Sequence, residues 1–533
     1  MTDMRLASTE RAPASWLRSF AFGRAPEWDA AARSATAGFD LALFSGGDER
    51  VFLNPATNRT KYGTPRGCAE SEAWFASSTA SAISARGYAA AMAAWHSLVS
   101  GRETLESCCE SVRQRLTQLF GIDGTQTILT GSGTEAVLVS LGLARMFCGA
   151  RMTAIIVGCA ETGRGVSSAA AGLHFLRQAA FAEVTLGDRL GGLQDLDINV
   201  DTVSIRDRIG ILRSADEIDA ELAAKVEAAR RTGRDVIIHR LDVSKTGQSA
   251  PTLEAIARLQ EGAPGHVFVL ADCCQLRCSA EHIKGLLARG FLISLTGSKF
   301  AGAPPFAGAL LVPPELMQRL TPGLIPMRLP AGLSAYSARL DWPPMLRAML
   351  PVGSFPAANI GLVLRWHAAL AEIERFFAWP ITLRSAIFAI FHQQVAQRIA
   401  EAHCLELLPP PEETEASWGH TILCVAMRHS DGRFLDMTEA AAVQARLREG
   451  RDAGNRDAVK RIHLGQPVAV AGAGMLRVCA SAALVNHVAE GVTTGMNLED
   501  SFAPTADDIA ALFAAFPTAM ASSGCSIPKA EKL

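Results

Sequence analysis

The sequence predicts an α/β fold: a largely parallel sheet with helices on both faces, then a smaller C-terminal α/β domain. Three observations predict it. From about residue 125, short apolar runs alternate with helical stretches. Several of those runs, such as 153–158 and 266–271, are continuously apolar, as strands covered on both faces should be. After a Pro-rich crossing (313–356) and a helical block, strand and helix alternate again over about 404–515.

The elements follow in order. Pro, Gly and Thr cluster over 54–67, which favours turns. Helices are expected at 84–98 and 104–120, strands at 153–158, 235–241, 266–271, 291–295 and 308–312, and helices between them at 135–147, 215–231, 252–260 and 280–289. Two long helices fit at 360–377 and 383–403. The resulting division is an N-terminal arm (1–100), a large domain (101–345), a small C-terminal domain (346–520) and a flexible tail (521–533).

Composition narrows the functional classes. The 533 residues are 49% hydrophobic and 20% charged, ample for a large core. A net charge of −2 argues against a nucleic-acid partner. No apolar run reaches membrane-span length and the N-terminus lacks an apolar signal core, so a cytoplasmic protein without a membrane partner is expected. Twelve cysteines without a CxxC pattern read as reduced packing residues, with no metal site expected.

Four segments carry chemistry. Thr130-Gly131-Ser132-Gly133-Thr134-Glu135 opens an apolar helix. Its glycines permit close backbone approach to an anion, and free amides with the helix dipole favour phosphate. Alone, it is equally a Gly-rich turn with a Ser or Thr N-cap. Asp272 follows an apolar strand, where α/β sheets bind ligands, and suits a protonated ring nitrogen; an N-cap is the plainer alternative. Lys299, one of only eight lysines, stands just past the strand 291–295. A dry site and a neighbouring cation there would make it nucleophilic toward a carbonyl; a surface loop lysine is the alternative. Arg477 lies among apolar residues and suits a substrate carboxylate or a structural salt bridge.

Taken in this order, the segments resemble the fold-type I pyridoxal-phosphate (PLP) enzymes, in particular the class V aminotransferase and cysteine desulfurase group. There a Gly/Thr phosphate turn precedes a strand ending in Asp-x-x-Gln, here Asp272 to Gln275, and the Schiff-base lysine follows one strand–helix–strand unit later. The interval from Asp272 to Lys299 is 27 residues, and the resemblance spans roughly 75–490. It implies the PLP-dependent transferase (aminotransferase-like) fold, with a mainly parallel seven-stranded sheet. It also implies PLP as cofactor, Lys299 as catalytic residue, and cofactor contacts from Ser132, Gly133, Thr134, Asp272, Gln275, Thr296 and Ser298. Ser244 is expected at the ring hydroxyl, with Asp242 as an alternative. Gly353-Ser354 resembles the segment that reaches the partner's phosphate, which implies a homodimer with shared sites. Arg477 would hold the carboxylate of an amino-acid substrate.

The departures concern the ring face and the reaction. The family places a His or aromatic ring after the strand matching 153–158; this chain reads Cys159-Ala160-Glu161-Thr162-Gly163-Arg164, so Thr162 or Glu161 takes that place. Ser298 replaces a frequent His. The stretch 446–465 lacks the cysteine a desulfurase requires. Transamination is the leading expectation, and a lyase or carbon–carbon bond enzyme (decarboxylase, β-eliminase or aldol-type) the alternative. A desulfurase or a non-catalytic PLP-binding protein ranks below both.

Overall fold

The computed structural model describes residues 35–320, 328–411, 416–450 and 460–524. In chain order its strands are β1 (Ala73–Phe75), β2 (Gln126–Thr130), β3 (Arg151–Val157), β4 (Asp197–Val203), β5 (Asp235–Leu241), β6 (Val267–Cys273), β7 (Leu292–Thr296), β8 (Gly308–Val312), β9 (Leu405–Leu407), β10 (Ile422–Met427), β11 (Ile462–Val470) and β12 (Ala473–Cys479). They form two sheets. The larger has seven strands in the order β2-β8-β7-β6-β5-β3-β4, the smaller five in the order β1-β11-β12-β10-β9. Within the larger sheet β8 alone runs antiparallel to its neighbours.

Alternation along the strands explains the layering. Ile155 and Val269 face one core, whereas Ile156 and Phe268 face the other. With both faces covered, β5 is buried along its whole length. The intervening helices begin at side-chain caps. Ser132, Ser214, Thr252 and Ser279 each accept a hydrogen bond from an amide in the first turn. Ser214 and Glu217 close a capping box, and the helix between β4 and β5 occupies Ala215–Arg231, as the sequence suggests.

The long helix Ile360–Ala378 is mostly buried, with Leu362, Trp366 and Phe376 inside the core and Trp366 donating to the Gly308 carbonyl at the start of β8. Its Arg365 is fully buried and donates to the carbonyls of Leu43, Ser45 and Phe306. One guanidinium therefore fixes the N-terminal arm against the large sheet. Glu372, two turns further on, accepts from Asn486 and Ser84.

Three features depart from the sequence expectation. β2 and β4 were not expected as strands: β2 pairs antiparallel with β8, and β4 is an edge strand with three acidic or amide positions facing out. The arm contributes β1, which pairs parallel with β11, so residues 73–75 belong to the small sheet. A helix spans Leu498–Ser522 and carries Pro504 and Pro517 within it, reaching into the expected tail; residues 525–533 lie outside the described residues, as do 321–327 of the Pro-rich crossing and 451–459 of the cysteine-free stretch. Among the described residues, no helix is long and apolar enough to cross a membrane.

Candidate active site

The carboxyl ends of β3, β5, β6 and β7 converge where open α/β sheets bind ligands. Asp272 is the penultimate residue of β6 and pairs in register with Ser294 of β7, five residues before Lys299. The two chemical groups therefore sit at the mouths of adjacent parallel strands. Thr296 fixes this edge by donating to the Cys274 carbonyl at 2.7 Å. Ser81 of the arm donates to the Lys299 carbonyl at 2.7 Å. Gly297 lets the lysine loop press on the long helix, since a Cβ there would lie 2.5 Å from that of Ala369.

The Asp272 carboxylate is oriented from both sides. Thr162 donates its hydroxyl to Oδ2 at 2.7 Å, and the Cys274 amide donates to Oδ1 at 3.1 Å. A small cavity lined by Val137, Thr162, His239, Leu270 and Asp272 lies beside it. Burial lowers the pKa of His239 to about 4, against the pull of Asp272, so its imidazole is neutral at physiological pH. Gln275, buried, donates to the Ser78 carbonyl at 3.2 Å while its Oε1 has no hydrogen-bond partner.

Cations collect in this cleft. Lys245, from the turn after β5, has its pKa lowered to about 8 by burial and then by Arg477, Lys299 and Arg164, with Glu161 opposing. Arg477 projects from β12 of the small sheet and donates to the Gln466 carbonyl at 2.9 Å and to Thr79 Oγ1 at 2.8 Å. Among the described residues, neither Lys299 nor Arg477 has a carboxylate within ion-pair distance. Burial lowers the Arg477 pKa. Such a surplus of charge suits an anionic ligand.

The loop after β3 is organised by Glu161. Its buried carboxylate accepts from Arg206 at 2.6 Å, from Ser244 at 2.5 Å and from Thr246. Ser244, expected at a ring hydroxyl, thus spends its own proton on Glu161. Asp242, the alternative, accepts from Arg240 and His282 instead. Thr162 is committed to Asp272 through its hydroxyl. The helix from Gly133 to Ala144 begins at Ser132, whose Oγ accepts the Thr134 amide and an Arg50 N–H and donates to Glu135. Arg50 also pairs with Asp48 and Glu135. A Cβ at Gly133 would collide with the Cys274 sulfur, so the turn can lie against the Asp272 segment only with glycine there. Ser298 is buried beside Lys299, and Ser354 is exposed.

Sequence reasoning singled out neither Arg50 nor Arg206. Arg50 and Arg206 come from irregular segments, and their partners, Glu135 and Glu161, are far away in sequence. No local spacing could have signalled them.

The cysteine desulfurase CsdA of Escherichia coli has a similar structure, with a TM-score of 0.52 at 16% identity, over 88% of this chain and 99% of that one. The fold is that of the fold-type I PLP-dependent enzymes. The same fold is shared by C-DES, solved as a variant with glycine covalently linked to its PLP cofactor (TM-score 0.51, 13% identity, 84% of this chain and 96% of that one). A NifS-like protein matches with a TM-score of 0.50 at 11% identity, over 83% of this chain and 99% of that one. No family model and no curated protein matches the sequence.

The residues present fit the cofactor of that fold. Among the described residues, Lys299 offers an amine without an acidic partner, Asp272 an oriented carboxylate, Gln275 an unpartnered buried oxygen, and the Ser132 turn a set of helix amides.

Proposed function

We propose that this chain is a PLP-dependent enzyme acting on an α-amino acid, with transamination as its reaction. The observation that carries the reading is the pairing of Asp272 and Lys299 at the mouths of β6 and β7, with Arg477 of the small sheet reaching the same cluster of cations.

Bound PLP supplies an electron sink for a carbanion at the substrate's Cα. Lys299 would tether the cofactor, and its amine would hold and move a proton at the substrate's Cα. Asp272, held by Thr162 and the Cys274 amide, keeps the ring nitrogen protonated by its negative charge. The amides around Gly133 and the hydroxyl of Thr134 hold the phosphate. Arg477 binds the substrate carboxylate in a bidentate fork. Lys245, partly neutral near pH 8, keeps the cleft cationic below that pH and less so above it.

Assembly as a homodimer belongs to the same reading. The Gly353-Ser354 segment is exposed, which leaves it free to reach a second copy. Sedimentation equilibrium tests this: a mass of one chain at micromolar concentration would contradict it.

Transamination is tested by incubating the PLP-loaded protein with a panel of amino acids and a keto acid. Stoichiometric exchange of amino and keto groups is expected for at least one pair. Release of carbon dioxide or an aldehyde without exchange would replace transamination by a lyase reaction.

A further inference from the structure

A second set of reactive groups lies on the other face of the sheet. Cys273 follows Asp272 on β6, so its side chain points away from the cleft. There the sulfurs of Cys273 and Cys278 and a carboxylate oxygen of Asp242 all lie within 4.8 Å of one another. The three residues are 1%, 0% and 2% exposed. Asp242 Oδ1 accepts from Arg240 at 2.6 Å and from His282 Nε2 at 2.7 Å. Its Oδ2 is buried without any hydrogen-bond partner. Buried carboxylate oxygens are seldom left bare, because an unpaired polar atom away from water is destabilising.

We propose that Asp242, Cys273 and Cys278 form a binding site for a soft divalent transition-metal ion of the zinc class. Two thiolates and a carboxylate are donors that zinc takes. The fold supplies them from three places: the turn after β5, the last residue of β6 and the loop that follows. The free Oδ2 of Asp242 is the oxygen donor. His282, 13% exposed, stands behind the metal ligands and orients the carboxylate through its Oδ1.

The charges balance. Binding forms two metal–sulfur bonds and releases one proton from each thiol to solvent. The two thiolates then neutralise the dication, and Asp242 remains beside Arg240. Each thiol loses its proton on binding, so metal uptake is coupled to proton release and tightens as pH rises. The site would clamp the end of β6, the segment that carries Asp272. It stands independently of the cofactor reading.

The test is a titration of full-length, chelator-stripped protein with cobalt(II), whose thiolate complexes absorb strongly. One cobalt per chain is expected, displaced stoichiometrically by zinc. The thiolate–cobalt bands should vanish in Cys273→Ser and Cys278→Ser and persist in Cys68→Ser, which alters an exposed cysteine. His282→Ala should weaken cobalt binding by about tenfold or more. If the buried-cysteine variants do not fold, X-ray absorption of zinc on the wild-type chain decides: two sulfur neighbours support the site, and none overturns it. Absence of thiolate–cobalt bands at saturation, bands surviving in both serine variants, unchanged affinity in His282→Ala, or a Cys273–Cys278 disulfide would each overturn it.

Discussion

Arg477 illustrates what a single residue can and cannot reveal. Its apolar neighbours in sequence indicate burial, and burial of a guanidinium demands acceptors. The structure supplies carbonyls and a hydroxyl, and no carboxylate within reach among the described residues. A ligand carboxylate would complete the set. Replacing Arg477 with Ala should raise KM for amino acids about 10- to 100-fold, the worth of a charge-assisted hydrogen bond, with a smaller change in kcat. Steady-state kinetics on an amino acid and on its decarboxylated amine check this. An equal loss for the amine would remove the carboxylate role. Asp272 and Lys299 were legible from their positions after apolar strands. Glu161 was legible only as a member of the loop after β3. Its anchoring by Arg206, Ser244 and Thr246 joins residues brought together only in the folded chain.

At the scale of elements, the short 3-10 turn Arg339–Asp341 lies within the Pro-rich crossing, where Asp341 is fully buried. It accepts the Ala338 amide at 2.6 Å, while its other oxygen is unpartnered. Burial raises its pKa from 3.8 to about 7, with the Ala338 amide and Arg113 opposing. The folded state therefore holds a proton that the unfolded chain has lost. The stabilisation is full below the unfolded pKa of 3.8 and is lost as pH rises through about 7. Asp341→Asn, which cannot ionise, should gain stability relative to wild type as pH rises from about 4 to about 7, then level off. Urea unfolding of both proteins across that range measures it; a constant difference would contradict it. The same scale shows which elements were readable. The strands 235–241 and 308–312 and the helix 215–231 fall where hydrophobic pattern and caps put them. β4 escaped because an edge strand can carry charges on its open side, and Asp-Ile-Asn-Val-Asp-Thr-Val reads as irregular. β2 escaped because it is five residues long and runs straight into the glycine turn.

For the whole molecule, the governing relation is between two sheets and one cleft. The large sheet provides Lys245, Asp272 and Lys299 at strand mouths; the small sheet provides Arg477; the arm, through Ser78, Thr79 and Ser81, bonds to both. The α/β class and its largely parallel sheet were legible from alternation alone. The recruitment of 73–75 into the small sheet was not, because a three-residue strand has no periodicity to read. The central claim is that one amine, that of Lys299, holds the cofactor. Borohydride reduction of the PLP-loaded protein, followed by peptide mass spectrometry, tests it most directly. The account predicts a single pyridoxyl label on the peptide containing Lys299. A label on Lys245 or Lys284, or no label at all, would contradict it.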